Sequence, residues 1–257
     1  MRQTRQRESR VGPDYGRSRL LVCITTCERN HDRVQAIRET WLAQPLPKGV
    51  AALFVYGDGM DPAPTVVGSS LTLPVRDAYE CLPEKTRALF RWALEFSAFE
   101  HILKCDDDSY VHLDVSANLE LDGVDYAGRL TPPVPGIVET WHYGKCSSRD
   151  AEVPFRGPFP DLFAEGFGYF VSRRAASVVA AASDLSLRQH VLEDVFVGWC
   201  LAHADFAVKR VDLSRGVRAR RTALEPQQGV YVRHPLGPEE LRLFHSQNAT
   251  AHALPNG

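Results

Sequence analysis

Short unbroken apolar runs alternate along this chain with longer stretches of helical period, and that order sets the expected architecture. Leu20–Ile24 and Ala51–Tyr56 are apolar throughout, and Ile102–Cys105 is apolar except for Lys104, as expected of strands largely buried in a sheet. Val34, Ile37 and Trp41 recur at helical spacing and place a helix over 32–42, with Asp32 as its N-cap. Leu89, Trp92, Ala93 and Phe96 form the stripe of a second helix beginning at Pro83. Shorter strands are expected at Leu71–Leu73, Tyr126–Gly128, Phe206–Val211 and Val230–Val232, and further helices at Arg173–Ala182, from Leu192, and from Pro238. Glu165–Ser172 reads as a glycine-bearing turn running into a strand. Residues 60–70 and 131–161 read as loops, and 214–229 as a basic loop. This alternation predicts an α/β protein.

With 257 residues, 44% of them hydrophobic, the chain can bury one sizeable core, and one domain over 19–250 is expected. A net charge of -2 gives no general attraction to nucleic acid. Residues 1–18 carry most of their charge as arginine before any apolar period begins, which predicts a disordered basic tail. Weak contact with an anionic membrane surface is the alternative to simple solvation. Residues 251–257 are expected to be flexible. No stretch approaches the roughly 18 apolar residues of a membrane span, so a cytoplasmic protein is expected, and the six scattered cysteines read as free thiols.

Chemistry concentrates where Ile102–Cys105 ends in Asp106, Asp107 and Asp108. Three adjacent carboxylates at the C-terminal end of a buried strand suit a hard divalent cation, since α/β sheets bind ligands at that edge. Alternation would point Asp106 and Asp108 the same way and Asp107 elsewhere. An acidic surface turn is the competing reading. Lys85 and Thr86 fall in a helix's first turn, which favours anions. Glu193 and Asp194 begin another helix, and Trp141, His142, Tyr143 and Lys145 lie in a loop long enough to cover a site.

In order, these pieces resemble glycosyltransferase family 31, the β1,3-galactosyltransferase and fringe-like enzymes, over residues 20–245. Arg33–Trp41 is similar to the family's Arg-x-x-Ala-Ile-Arg-x-Thr-Trp helix, and Asp77–Thr86 to its Asp-x-Tyr-x-Asn-Leu-Thr-x-Lys-Thr segment, with Cys81 and Pro83 departing from it. The acidic triplet, Glu165–Ser172, Glu193–Val195 and the pattern His234, Pro238, Leu241, Phe244 complete the match. The resemblance implies a GT-A fold, a Rossmann-like mixed sheet flanked by helices, and a soluble member of bacterial type is expected.

It also implies an inverting transfer of a hexose or N-acetylhexosamine from a UDP-sugar to a glycan or lipid-linked glycan, forming a β1,3 linkage. Manganese or another divalent cation would be held by Asp108 and His234, with Asp106 on the metal through water or on the ribose. Thr25, Thr26, Arg33, Arg38, Lys85 and Asp107 would belong to the donor site. Asp194 is the expected general base, with Glu193 as runner-up, and Trp141, Tyr143, Glu165 and Phe167 would shape the acceptor site. Two other classes compete: a metal-dependent phosphoesterase and a non-catalytic sugar-binding module.

Overall fold

The computed structural model describes residues 18–134, 136–219 and 229–252. The basic tail, Arg220 and Arg221 of the basic loop, and residues 253–257 lie outside the described residues. In chain order the elements are β1 (Leu20–Thr25), α1 (His31–Glu39), β2 (Val50–Tyr56), β3 (Thr65–Val67), β4 (Ser70–Thr72), α2 (Leu82–Phe96), β5 (His101–Asp106) and β6 (Tyr110–Val111). There follow α3 (Leu113–Ala117), β7 (Tyr126–Thr131), β8 (Phe163–Ser172), α4 (Arg173–Ala180), α5 (Asp184–Gln189), α6 (Glu193–Ala202), β9 (Arg210–Asp212), β10 (Val217–Ala219), β11 (Val232–His234) and α7 (Pro238–His252).

Eight strands form one sheet in the order β3-β4-β2-β1-β5-β8-β7-β9, and β10-β11-β6 form a second. The strands β4, β2, β1 and β5 run parallel, and β8 turns antiparallel against β5. Every residue of β1 is buried, as its unbroken apolar run requires of a central strand. Its alternate residues feed two cores. Leu21 and Cys23 pack with Leu89, Phe90 and Trp92 of α2, while Leu20, Val22 and Ile24 pack with Val34 and Ile37 of α1 and Phe244 of α7. The result is one α/β domain with helices on both faces of a mixed sheet, the GT-A arrangement that the resemblance implies.

Several expectations are corrected. The cap of α1 is Asn30, whose side chain makes no capping bond to the helix, and Asp32 instead meets His31 at 3.0 Å. Phe96, the last residue of α2, is exposed. The expected loop 60–70 contains β3, which pairs with β4 as a hairpin. Glu165–Ser172 lies wholly within β8, with no turn. Its glycine at 168 answers close approach, since a Cβ there would meet Val232 at 3.3 Å. The strand expected at Phe206–Val211 is the shorter β9, whose pairing to β7 begins only at Arg210. That expected at Val230–Val232 is β11, two residues later, and part of the basic loop is strand β10. The six cysteines are free thiols.

Candidate active site

The triplet sits where the chain leaves β5, the strand at the centre of the large sheet. Register places Thr25, at the end of β1, beside Asp106. Directly after the triplet, β6 pairs antiparallel with β11, and this pairing carries the C-terminal His234 back to the acids. The His234 ring lies flat on Phe167 of β8, with centroids 4.7 Å apart and planes 15° apart.

The three carboxylates divide their work, with Asp106 ending β5 and the other two in the turn that follows it. Asp107 is buried and turned into the protein, accepting from Thr26 Oγ1 at 2.7 Å, Asn30 Nδ2 at 2.8 Å and Arg33 at 2.8 Å. Its expected place in the donor site is therefore corrected: its acceptors are spent on tying β1 and α1 to the triplet. Asp108 Oδ1 lies 2.9 Å from His234 Nδ1, with Arg33 3.7 Å from Oδ2. Burial opposes its ionisation, but His234 and Arg33 outweigh burial and hold the carboxyl below the usual range. Asp106 is pushed up by burial and by Asp108, against the pull of Lys104.

Among the described residues no group of three or more His, Cys, Asp or Glu side chains encloses a metal ion. What exists is a partial donor set. Asp108 Oδ1 is a buried oxygen that lacks a well-directed hydrogen bond although an imidazole nitrogen is 2.9 Å away. A carboxylate and an imidazole that converge so closely offer two donors to a divalent cation, and that combination suits manganese better than calcium. Such a pair needs a ligand's oxygens and water to complete the shell.

A cleft of about 380 Å³ opens beside these groups, lined by Asp106, His234, Lys104, Glu193, Asp194, Tyr79 and the loop 131–161. A second cavity, of about 430 Å³ between α6 and Phe206, carries none of the expected site residues. The cleft is organised by a residue the sequence reading passed over. Lys104, buried in β5, donates to Asp106 at 2.7 Å and to the Gly166 carbonyl at 2.8 Å, and lies 3.1 Å from Glu193. Burial alone would lower its pKa, yet the two carboxylates raise it. Its position two residues before Asp106, on the same strand face, was the available signal.

Glu193 and Asp194 part at the head of α6. Glu193 is buried and accepts from Thr86 Oγ1 at 2.9 Å and Tyr169 Oη at 2.5 Å. Asp194 faces the cleft, half-buried, with Oδ1 receiving the Val195 N–H at 2.9 Å. Burial, reinforced by the Glu193 charge, pushes its carboxyl up to about 7. A carboxyl so poised is half ionised near neutral pH, where proton transfer is most effective.

The other expected donor residues do not line the cleft. Lys85 is buried, donating to Asp77 at 2.7 Å and to the Thr26 carbonyl at 2.5 Å, and burial lowers its pKa. Its place in the donor site is corrected to that of a brace. Arg38 stacks on Phe54 at 4.6 Å and bonds Ser69. Of the acceptor candidates, Trp141, Glu165 and Phe167 line the cleft, while Tyr143 does not and packs its ring on His142.

Residues 32–213 match a family model described as galactosyltransferase. The chain belongs to that family. It is 27% identical over 201 residues to beta-1,3-galactosyltransferase 1 of Mus musculus, a match covering 71% of this chain and 59% of the relative's length. To beta-1,3-galactosyltransferase 6 of Mus musculus it is 37% identical over 108 residues, covering 37% of this chain and 33% of that protein. Among solved structures, a glycosyltransferase involved in glycosylating the major capsid of PBCV-1 aligns over 87% of this chain and 98% of its own, at 9% identity and a TM-score of 0.49. Among the described residues no helix is long and apolar enough to cross a membrane.

Proposed function

We propose that this galactosyltransferase-family protein transfers galactose or a related hexose from a UDP-sugar to a glycan hydroxyl with inversion, forming a β1,3 linkage in a reaction dependent on a divalent cation. The observation that carries the reading is Asp194: a carboxyl with its pKa raised to about 7, in the same cleft as Asp106 and His234.

Asp108 and His234, with Asp106, would hold the cation. When bound, it supplies positive charge against the diphosphate as the glycosidic bond breaks. The chain's own residues do the rest. Asp194 Oδ1 is fixed by the Val195 N–H, which leaves Oδ2 to take the proton of the acceptor hydroxyl. The freed oxygen forms its bond to the anomeric carbon while the bond from that carbon to the diphosphate breaks, releasing UDP. Lys104 holds Asp106 and Glu193 in one network, so the donor side and the head of α6 keep a fixed spacing. Trp141 offers its ring to the accepting sugar. A phosphoesterase built on two metals would require more His and Asp ligands than converge among the described residues.

The test is transfer from UDP-galactose, with manganese, to a panel of galactosides and N-acetylglucosaminides, comparing the protein with Asp194→Asn. Transfer by the parent and its loss by about 10²–10⁴-fold in the variant is expected. Equal rates would remove Asp194 from the reaction.

A further inference from the structure

The long loop brings to the cleft a cation whose charge no carboxylate takes up. Around the cleft, Lys104 is paired with Asp106 and Glu193, Arg129 with Glu165, and His234 with Asp108. Lys145 lines the same cleft and, among the described residues, has no carboxylate within ion-pair distance, Glu139 and Asp194 included. Its Nζ lies instead over the Tyr79 ring, 5.2 Å from the centroid. An aromatic face holds an ammonium in place without neutralising it.

That placement is built into the fold. Tyr79 precedes Glu80, Lys145 lies just before Cys146 and Ser147, and Glu80 and Ser147 are latched together across 67 positions of chain. Glu80 accepts from the Ser147 hydroxyl and, at 3.1 Å, from its backbone N–H, while Arg76 donates to Glu80 and, at 3.2 Å, to Ser147 Oγ. Burial opposes ionisation of Glu80, yet Ser147 and Arg76 outweigh it and hold the carboxyl below its usual range. Tyr79 itself is a wall of the cleft whose phenol is pushed up by burial and then by the charges of Asp194 and Asp106, so it keeps its proton. The ammonium on its ring is therefore held beside the space between Asp106 and Asp194. In a cleft of about 380 Å³ that space has room for one ligand, which each wall then touches.

Resting on the reading of this cleft as a UDP-sugar site, we propose that Lys145, positioned by Tyr79, is an anion subsite for the donor's second phosphate. As the bond from the anomeric carbon breaks, its electron pair stays on the departing diphosphate oxygen, and the Lys145 ammonium meets the charge that grows there. Lys145 touches the leaving group, whereas Tyr79 acts through Lys145.

The experiment is calorimetry in the presence of manganese, comparing UDP with UMP, which lacks the second phosphate, on the parent, Lys145→Met, Tyr79→Leu and Tyr79→Phe. Each variant leaves Glu80 and Ser147 in place, so the loop stays latched. Lys145→Met should weaken UDP binding about 10–100-fold, the size of one charge-assisted hydrogen bond, and leave UMP binding unchanged. Tyr79→Leu should lose UDP selectively in the same way, and Tyr79→Phe, which keeps the ring beneath the ammonium, should bind both nucleotides like the parent. A Lys145→Met protein that keeps its UDP affinity, or loses UDP and UMP alike, would overturn the subsite. A Tyr79→Leu protein indistinguishable from the parent would overturn the positioning by Tyr79. These readings need no turnover. A parent that binds neither nucleotide would sink the proposed reaction together with the subsite, whereas a preference for UDP that is equal in the parent and Lys145→Met removes the subsite and leaves the reaction standing.

Discussion

Asp194→Asn should make the protein more stable while it stops transfer, and the gain should depend on pH. The folded carboxyl has its pKa raised from 3.8 to about 7. Between those values the folded state binds the proton more tightly than the unfolded chain, so stability falls as pH rises through this window and the full cost is present above pH 7. A rise of that size corresponds to a ceiling of about 4 kcal/mol. Asp194 is only half-buried, and water roughly halves the figure. Its charge also favours the N-terminus of α6 by about 0.3–1 kcal/mol, which asparagine forgoes. The net gain on substitution is then about 1–2 kcal/mol at pH 8 and falls toward zero at pH 4, where the folded carboxyl is protonated and the unfolded one is near its own pKa of 3.8. For a domain of this size that is a rise in Tm of a few degrees. Thermal unfolding of both proteins across pH 4–8 reads it directly. A variant that is equally stable at pH 8, or destabilised by the same amount at every pH, would refute the desolvated carboxyl and with it the poised base.

Three further perturbations follow. Asp108→Asn and His234→Ala should each weaken manganese-dependent UDP binding about 10–100-fold in calorimetry, with the fold intact by circular dichroism; unchanged affinity in both would remove the cation from this pair. Glu193→Gln, by contrast, should cost about 3–5 kcal/mol in denaturant unfolding, because it leaves the buried Lys104 short of a carboxylate. Unaltered stability would mean that the network around Lys104 is not what holds the cleft. Trp141→Ala should raise the acceptor KM about fivefold, as expected from losing about 1 kcal/mol of ring stacking, and leave the donor KM nearly as it was. Equal changes in the two constants would take Trp141 off the acceptor.

What could be read from the chain follows from range. The strands β1 and β2 were legible because burial makes their sequences apolar without interruption, β5 because only Lys104 breaks its run, and the triplet because three charges cannot continue such a run. The division of labour within it was not, since β5 stops at Asp106 and Asp107 is turned inward by Thr26, Asn30 and Arg33, residues far away in the chain. Where glycine was read as a turn, in β8, the cause was a distant crossing by Val232 that local sequence does not contain. The hairpin strand β3 is three residues among prolines and glycines, too short for a period to register. Lys85 was placed by the helix dipole toward an anion, but the anion it meets is Asp77 of its own chain. Lys104 has the same lesson in reverse. Its partner Glu193 comes from the far half of the sequence, so the ion pair that gives Lys104 its role could not be read locally.

The most direct test of the central claim is the configuration of the product. UDP-galactose, manganese and octyl β-N-acetylglucosaminide, incubated with the protein and followed by proton NMR, should give a β-anomeric signal with correlation to carbon 3 of the acceptor, absent when chelator replaces manganese and absent with Asp194→Asn. An α-linked product, or undiminished transfer by the variant, would contradict an inverting reaction in which Asp194 takes the proton.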